Sequence, residues 1–211
     1  MFGPNAGLAG IVMIEAAAVL LLLVLFWLLA KGFSARFLRI WMAGWSVYAC
    51  FAACQLISAW QPRLPIRMLS LELSFGAAVL FFSAVLEFAN QRKHLRWIWP
   101  LAAIVSIGLQ ADFVHSGQPV SGQWTITILK AALYLAGGWL LWRSPERKQG
   151  HGVLLLAPAM ILVGLNGLDA PNWPAQALQA ARLSFNGVFV VAMGIAMAVL
   201  VLEAGRARTE D

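Results

Sequence analysis

The chain has 211 residues, of which 61% are hydrophobic and 11% charged, with a formal net charge of +6. A water-soluble domain of this length would be about a quarter charged, so this chain cannot cover a water-facing surface and belongs to the integral membrane class. The excess of positive charge would raise the question of nucleic acid in a soluble protein. Here the basic residues gather in short loops between apolar runs, which makes membrane topology the simpler reading and excludes a nucleic-acid partner.

Seven runs are long and apolar enough to cross a bilayer as helices: about 7–30, 38–60, 66–89, 95–113, 123–142, 152–169 and 176–203. The fold class expected is therefore an all-α, seven-transmembrane-helix bundle. The first run is too long, and too weakly flanked by positive charge, for a cleaved signal peptide. In the second, Cys50 and Cys54 read as small buried apolar side chains. The fourth is the weakest, with Pro100 near its start, where a first helical turn tolerates it. Pro158 should kink the sixth, which Gly152, Gly164 and Gly167 loosen further. The seventh passes from Val199-Leu200-Val201-Leu202 into a charged tail without a stop signal. Residues 1–203 thus form one membrane domain, and 204–211 start a linker helix that should continue span 7 unbroken.

Loop charges orient the bundle. Lys31, Arg36, Arg39, Arg92, Lys93, Arg96, Arg143, Arg147, Lys148, Arg206 and Arg208 fall on one side, and only Arg63 and Arg67 on the other. The excess of Lys and Arg in cytoplasmic loops puts the N-terminus outside and the C-terminus in the cytoplasm.

Charges inside spans are costly and usually face the protein interior. Glu15, Glu72, Lys130 and Arg182 lie at similar depth in spans 1, 3, 5 and 7, roughly 9–12 Å from the outer end. Gln55, Asn166 and Asp169 fall in the same outer layer, and Asn186 shares a helical stripe with Gln179 and Arg182. Thr127, Lys130 and Tyr134 form a second stripe, and Glu72, Gly76, Ser83 and Glu87 a third. One reading of this layer is an outward-facing polar pocket for a small or lipid-like ligand, with Glu72, Lys130 and Arg182 sharing the cavity. The other is a structural ion-pair network, or a lysine that snorkels outward along its stem. No protease, nucleophile-elbow or phosphate-loop motif occurs. His94, His115 and His151 lie in or beside loops, away from any haem geometry. No catalytic residue, metal or cofactor is expected.

Three stretches carry a resemblance. "FLRIWMAGWSVYA" (37–49), "GLNGLDAPNWP" (164–174) and "VLEAGRARTED" (201–211) resemble the second helix, the turn before the seventh helix, and the linker helix of a known class. That class is the seven-helix membrane input domains of bacterial sensor histidine kinases and diguanylate cyclases. Such domains often carry His where this chain has Asn166. The resemblance implies a multi-pass protein of the bacterial cytoplasmic membrane and a homodimer through helix 7 and its extension. It also implies signal transduction to a cytoplasmic kinase or cyclase output that is not in these 211 residues. The competing class is a small transporter or binding protein, which would spread polar groups to the midplane and use a discontinuous helix. A third is a purely structural subunit.

Overall fold

A computed structural model describes residues 6–32, 35–60, 64–116, 120–145, 150–168 and 176–210. Within them, side chains are described outside 6–9, 59–60, 109, 112–116, 120–123, 176–184, 205 and 207–210. The described residues form seven α-helices: α1 (Ala6–Gly32), α2 (Arg36–Trp60), α3 (Leu64–Phe88), α4 (Arg92–Ser116), α5 (Val120–Arg143), α6 (His151–Leu168) and α7 (Gln176–Glu210). Six of these are long and apolar enough to cross a membrane, and α4 is the exception. Large apolar side chains such as Ile14, Leu21, Ile104 and Val188 are exposed around the bundle. Such an apolar exterior suits a solvent of lipid chains.

Helices α1, α2, α3, α5, α6 and α7 pack in a closed ring in that order, and α4 lies outside against α3, touching α5. The centre is filled by Phe26, Trp41, Trp45, Phe81, Met160, Met193 and Met197, all fully buried. Glycines set the closest helix approaches. A Cβ on Gly138 would sit 2.7 Å from the carbonyl oxygen of Ala157, joining α5 to α6. One on Gly152 would sit 2.4 Å from the Cα of Leu200, joining α6 to α7. Membrane helices associate through close packing of this kind, because lipid chains offer no hydrophobic drive.

The contacts give the helix directions. Glu15 meets Asn186 and Leu22 meets Gly194, so α1 and α7 run parallel. Glu87 pairs with Arg92 and Glu72 with Ser106, so α4 runs antiparallel to α3 over much of its length. Between them, α3 ends with Asn90 at positive φ (55°), where its N–H reaches the carbonyl of Glu87 and the N–H of Gln91 that of Leu86. This left-handed cap reverses the chain within a few residues, and it sets the first turn of α4 beside Glu87.

Several expectations need correction. α4 begins at Arg92, so Pro100 lies inside the helix and not in its first turn. The proline cannot donate to the carbonyl of Arg96, one turn back. Pro158 does lie inside α6, within the span His151–Leu168. Cys54 is buried as expected, but Cys50 faces outward on α2. The tail does continue span 7: α7 is one helix of 35 residues, about 52 Å long at 1.5 Å per residue.

Candidate functional site

The half of the ring toward the start of α1 holds a buried polar cluster built from α1, α2 and α7. The Tyr48 hydroxyl donates to Oε1 of Glu15 at 2.6 Å. The Asn186 amide donates to the same oxygen at 3.0 Å and lies 3.1 Å from the Tyr48 oxygen. Glu15 is 8% exposed and Tyr48 5%. Lys130 on α5 adds a favourable charge to the surroundings of Glu15, and Tyr134, one turn along α5, is buried. A carboxylate in so apolar a setting needs these donors, because an unsatisfied buried charge costs several kcal/mol.

The cluster is reached from the side. Between α1 and α7 lies a cleft of about 390 Å³, lined by Ile11, Ile14, Ala18, Gly187 and Val188, with Glu15 at its wall. The absence of a side chain at Gly187 leaves this part of the α1–α7 seam open. Further along, Gly194 lets the tip of Leu22 close the seam. The opening therefore faces the surrounding apolar medium, through the exposed side chains of Ile14 and Val188.

The expected site residues divide. Asn186 bonds the Glu15 carboxylate directly, and Lys130 contributes to it only through its charge. Glu72 faces α4, where its Oε2 accepts from the Ser106 hydroxyl at 2.5 Å while its Oε1 is buried without a hydrogen bond. Gln55 on α2 and Asn166 on α6 are half-buried. Asp169 and the side chain of Arg182 lie outside the described residues, as does the turn from 169 to 175.

Sequence reasoning missed Tyr48, which supplies the shortest bond to Glu15 from within a stretch read as a helix-2 motif. It also missed a second contact of α7, at the opposite end of the bundle. There the Glu203 carboxylate accepts the backbone N–H of His151 through Oε1 and of Gly152 through Oε2, both at 2.8 Å. His151 Nδ1 lies 3.2 Å from the same carboxylate. Glu203 thus caps the N-terminus of α6, where free N–H groups and the helix dipole favour an anion.

No family model, curated protein or solved structure matches this chain. The likeness to sensor input domains accordingly stands on the three sequence stretches alone. Within "FLRIWMAGWSVYA", Trp41 and Trp45 are core residues and Tyr48 belongs to the polar cluster.

Proposed function

We propose that this chain is a membrane signal-input domain that takes up an apolar or lipid-like molecule in the outer half of the bundle and relays its presence through α7. In this reading all seven helices cross the bacterial cytoplasmic membrane, with the N-terminus outside and the C-terminus in the cytoplasm. The parallel α1 and α7 agree with an odd number of crossings, and the one-sided loop charges agree with the orientation. The less apolar α4 would cross alongside α3 and α5.

The observation that carries the proposal is that one helix, α7, joins the polar cluster to the charged extension without a break. A ligand entering by the α1–α7 cleft would present a hydrogen-bond donor to Glu15 and its apolar body to Ile11, Ile14 and Val188. It would compete with Asn186 for the carboxylate and so favour one placement of α7 over another. Beneath the cluster, Trp45, Phe81 and Met193 fill the ring. That packing supports a binding site over a polar transport path, which would need hydrophilic groups through the full depth. The membrane portion has no catalytic part in this reading; a kinase or cyclase would follow the extension, brought together as a dimer by α7.

The test is a two-stranded zipper fused after Asp211 in each of seven successive registers and followed by a dimer-dependent reporter enzyme. Output is expected to rise and fall with register, and Asn186→Leu should displace that pattern. A flat response in all registers would overturn transmission through α7.

A further inference from the structure

The end of the bundle that carries most of the basic residues holds a second cavity, of about 640 Å³, between α2, α3 and α4. Arg36, Arg39 and Arg96 line it together with Trp99, and its walls include Ile40 and Leu80. We propose that this cavity is a binding site for an anionic phospholipid, whose phosphate is held by the arginines and whose acyl chain lies along the apolar wall.

Charge is the first argument. Arg36 and Arg39 stand in the first turn of α2, and Arg92 and Arg96 in the first turns of α4. Neither helix has an acidic residue in its first turn. The N-terminus of a helix is its positive end, so cations placed there are repelled and an anion is favoured. At the start of α6 the chain itself supplies the anion, Glu203. Around the α2–α4 cavity it supplies one buried carboxylate, Glu87, paired to Arg92 at 2.9 Å and to Arg36 at 3.9 Å. No ion pair joins Arg39 or Arg96 to a carboxylate among the described residues. Four arginines at the starts of α2 and α4 against one carboxylate leave a surplus of positive charge, and two helix dipoles add to it.

Shape decides between a lipid and a soluble phosphate. Below the arginines the cavity is walled by Ile40, Ala43, Leu80 and Leu95, and Trp99 is half exposed at its side. A free phosphate has nothing to put against that wall. A phospholipid covers it with acyl chain, while the guanidinium groups grip the phosphate in two-pronged fashion. Basic pockets between membrane helices on the cytoplasmic side are suited to this class of ligand. The site is separate from the α1–α7 cleft and does not depend on the signalling proposal.

The test uses delipidated protein in neutral detergent, titrated with phosphatidylglycerol or phosphatidylcholine brominated in the acyl chain. Quenching of Trp99 is isolated by subtracting the same titration of Trp99→Phe. Phosphatidylglycerol should quench at lower concentration than phosphatidylcholine. Arg39→Gln with Arg96→Gln should weaken its binding by roughly thirtyfold, from the loss of two basic contacts. Arg39→Lys with Arg96→Lys, which keeps the charge but loses the two-pronged grip, should weaken binding less than the Gln pair, and inorganic phosphate at equal concentration should not displace the lipid. If the double Gln variant does not fold, each single Gln variant should still lose roughly fivefold. Equal quenching by the two lipids, or unchanged binding in the Gln variants, would overturn the site. Displacement by inorganic phosphate would overturn the lipid assignment and leave a soluble phosphate site.

Discussion

The contact of Gly152 with α7 offers a severe test of the packing. An alanine there would place its Cβ 2.4 Å from the Cα of Leu200 and 2.5 Å from its backbone nitrogen. Both atoms belong to a helix backbone, so no side chain can rotate away. Relief requires α6 and α7 to part by about 1 Å, since carbon atoms rest at roughly 3.5–4.0 Å. Overpacking of this kind costs about 1–3 kcal/mol. Parting the helices also stretches the two 2.8 Å bonds from His151 and Gly152 to Glu203, and bonds to a charged acceptor contribute about 1.5–3 kcal/mol each. The Glu203 side chain is 27% exposed, so water recovers part of that loss. A total of about 2–4 kcal/mol is expected for Gly152→Ala. The assay is thermal unfolding in detergent, followed by tryptophan fluorescence, beside Gly108→Ala, whose Cβ would meet nothing within 4 Å. Gly152→Ala should melt several degrees lower and Gly108→Ala should not. Equal melting of Gly152→Ala and the parent would refute the close approach of α6 and α7.

Two further outcomes follow from the buried carboxylates. Tyr48→Phe removes the 2.6 Å donor from Glu15 and leaves that oxygen to Asn186; it should cost about 1–3 kcal/mol, and much less when Glu15 is already Gln, as a double-mutant cycle of melting temperatures would read. At the opposite end, Arg92→Gln should destabilise more than Glu87→Gln. The first leaves a carboxylate that is 2% exposed with only Arg36 at 3.9 Å, whereas the second leaves arginines that are 63% exposed and free to meet water. Equal melting of those two variants would show that Glu87 is solvated from another direction.

The helices were legible because a crossing needs about twenty apolar residues and the loops between them concentrate the charge. Depth was legible for the same reason: rise per residue is fixed, so Glu15 and Lys130 could be set in one layer from their distance to the span ends. Azimuth was not. Which helix a polar stripe faces depends on the order of packing, and nothing in the spacing of Glu72 says that its neighbour is Ser106 on α4. Pro100 misled because the charged first turn of α4, Arg92 to Arg96, was counted as loop. On α7, Gly194 makes its close approach within the chain, against Leu22, a pairing that no spacing along one helix can reveal. The role of Glu203 was not legible, because a cap formed on a helix distant in sequence leaves no local signature.

Two carboxylates hold α7, one near each end of its packed length. Asn186 bonds Glu15 toward the start of α1, and Glu203 bonds the start of α6 at the opposite end. The two points are separated by seventeen residues, or about 26 Å of helix. Between them Met193, Ala196, Met197 and Leu200 are buried in the core. Packed cores shift between discrete arrangements more readily than they deform continuously. A ligand that displaces Asn186 would therefore act on α7 as a rigid body, and the Glu203 contact would have to yield before that motion could reach the extension. The strength of the Glu203 cap then sets the threshold of the proposed relay. Glu203→Gln, which keeps the volume but weakens both bonds, should raise the unliganded output of the zipper fusions and flatten their response to Asn186→Leu. If Glu203→Gln left both unchanged, the cap would be a packing feature alone, and the relay would have to bypass α6.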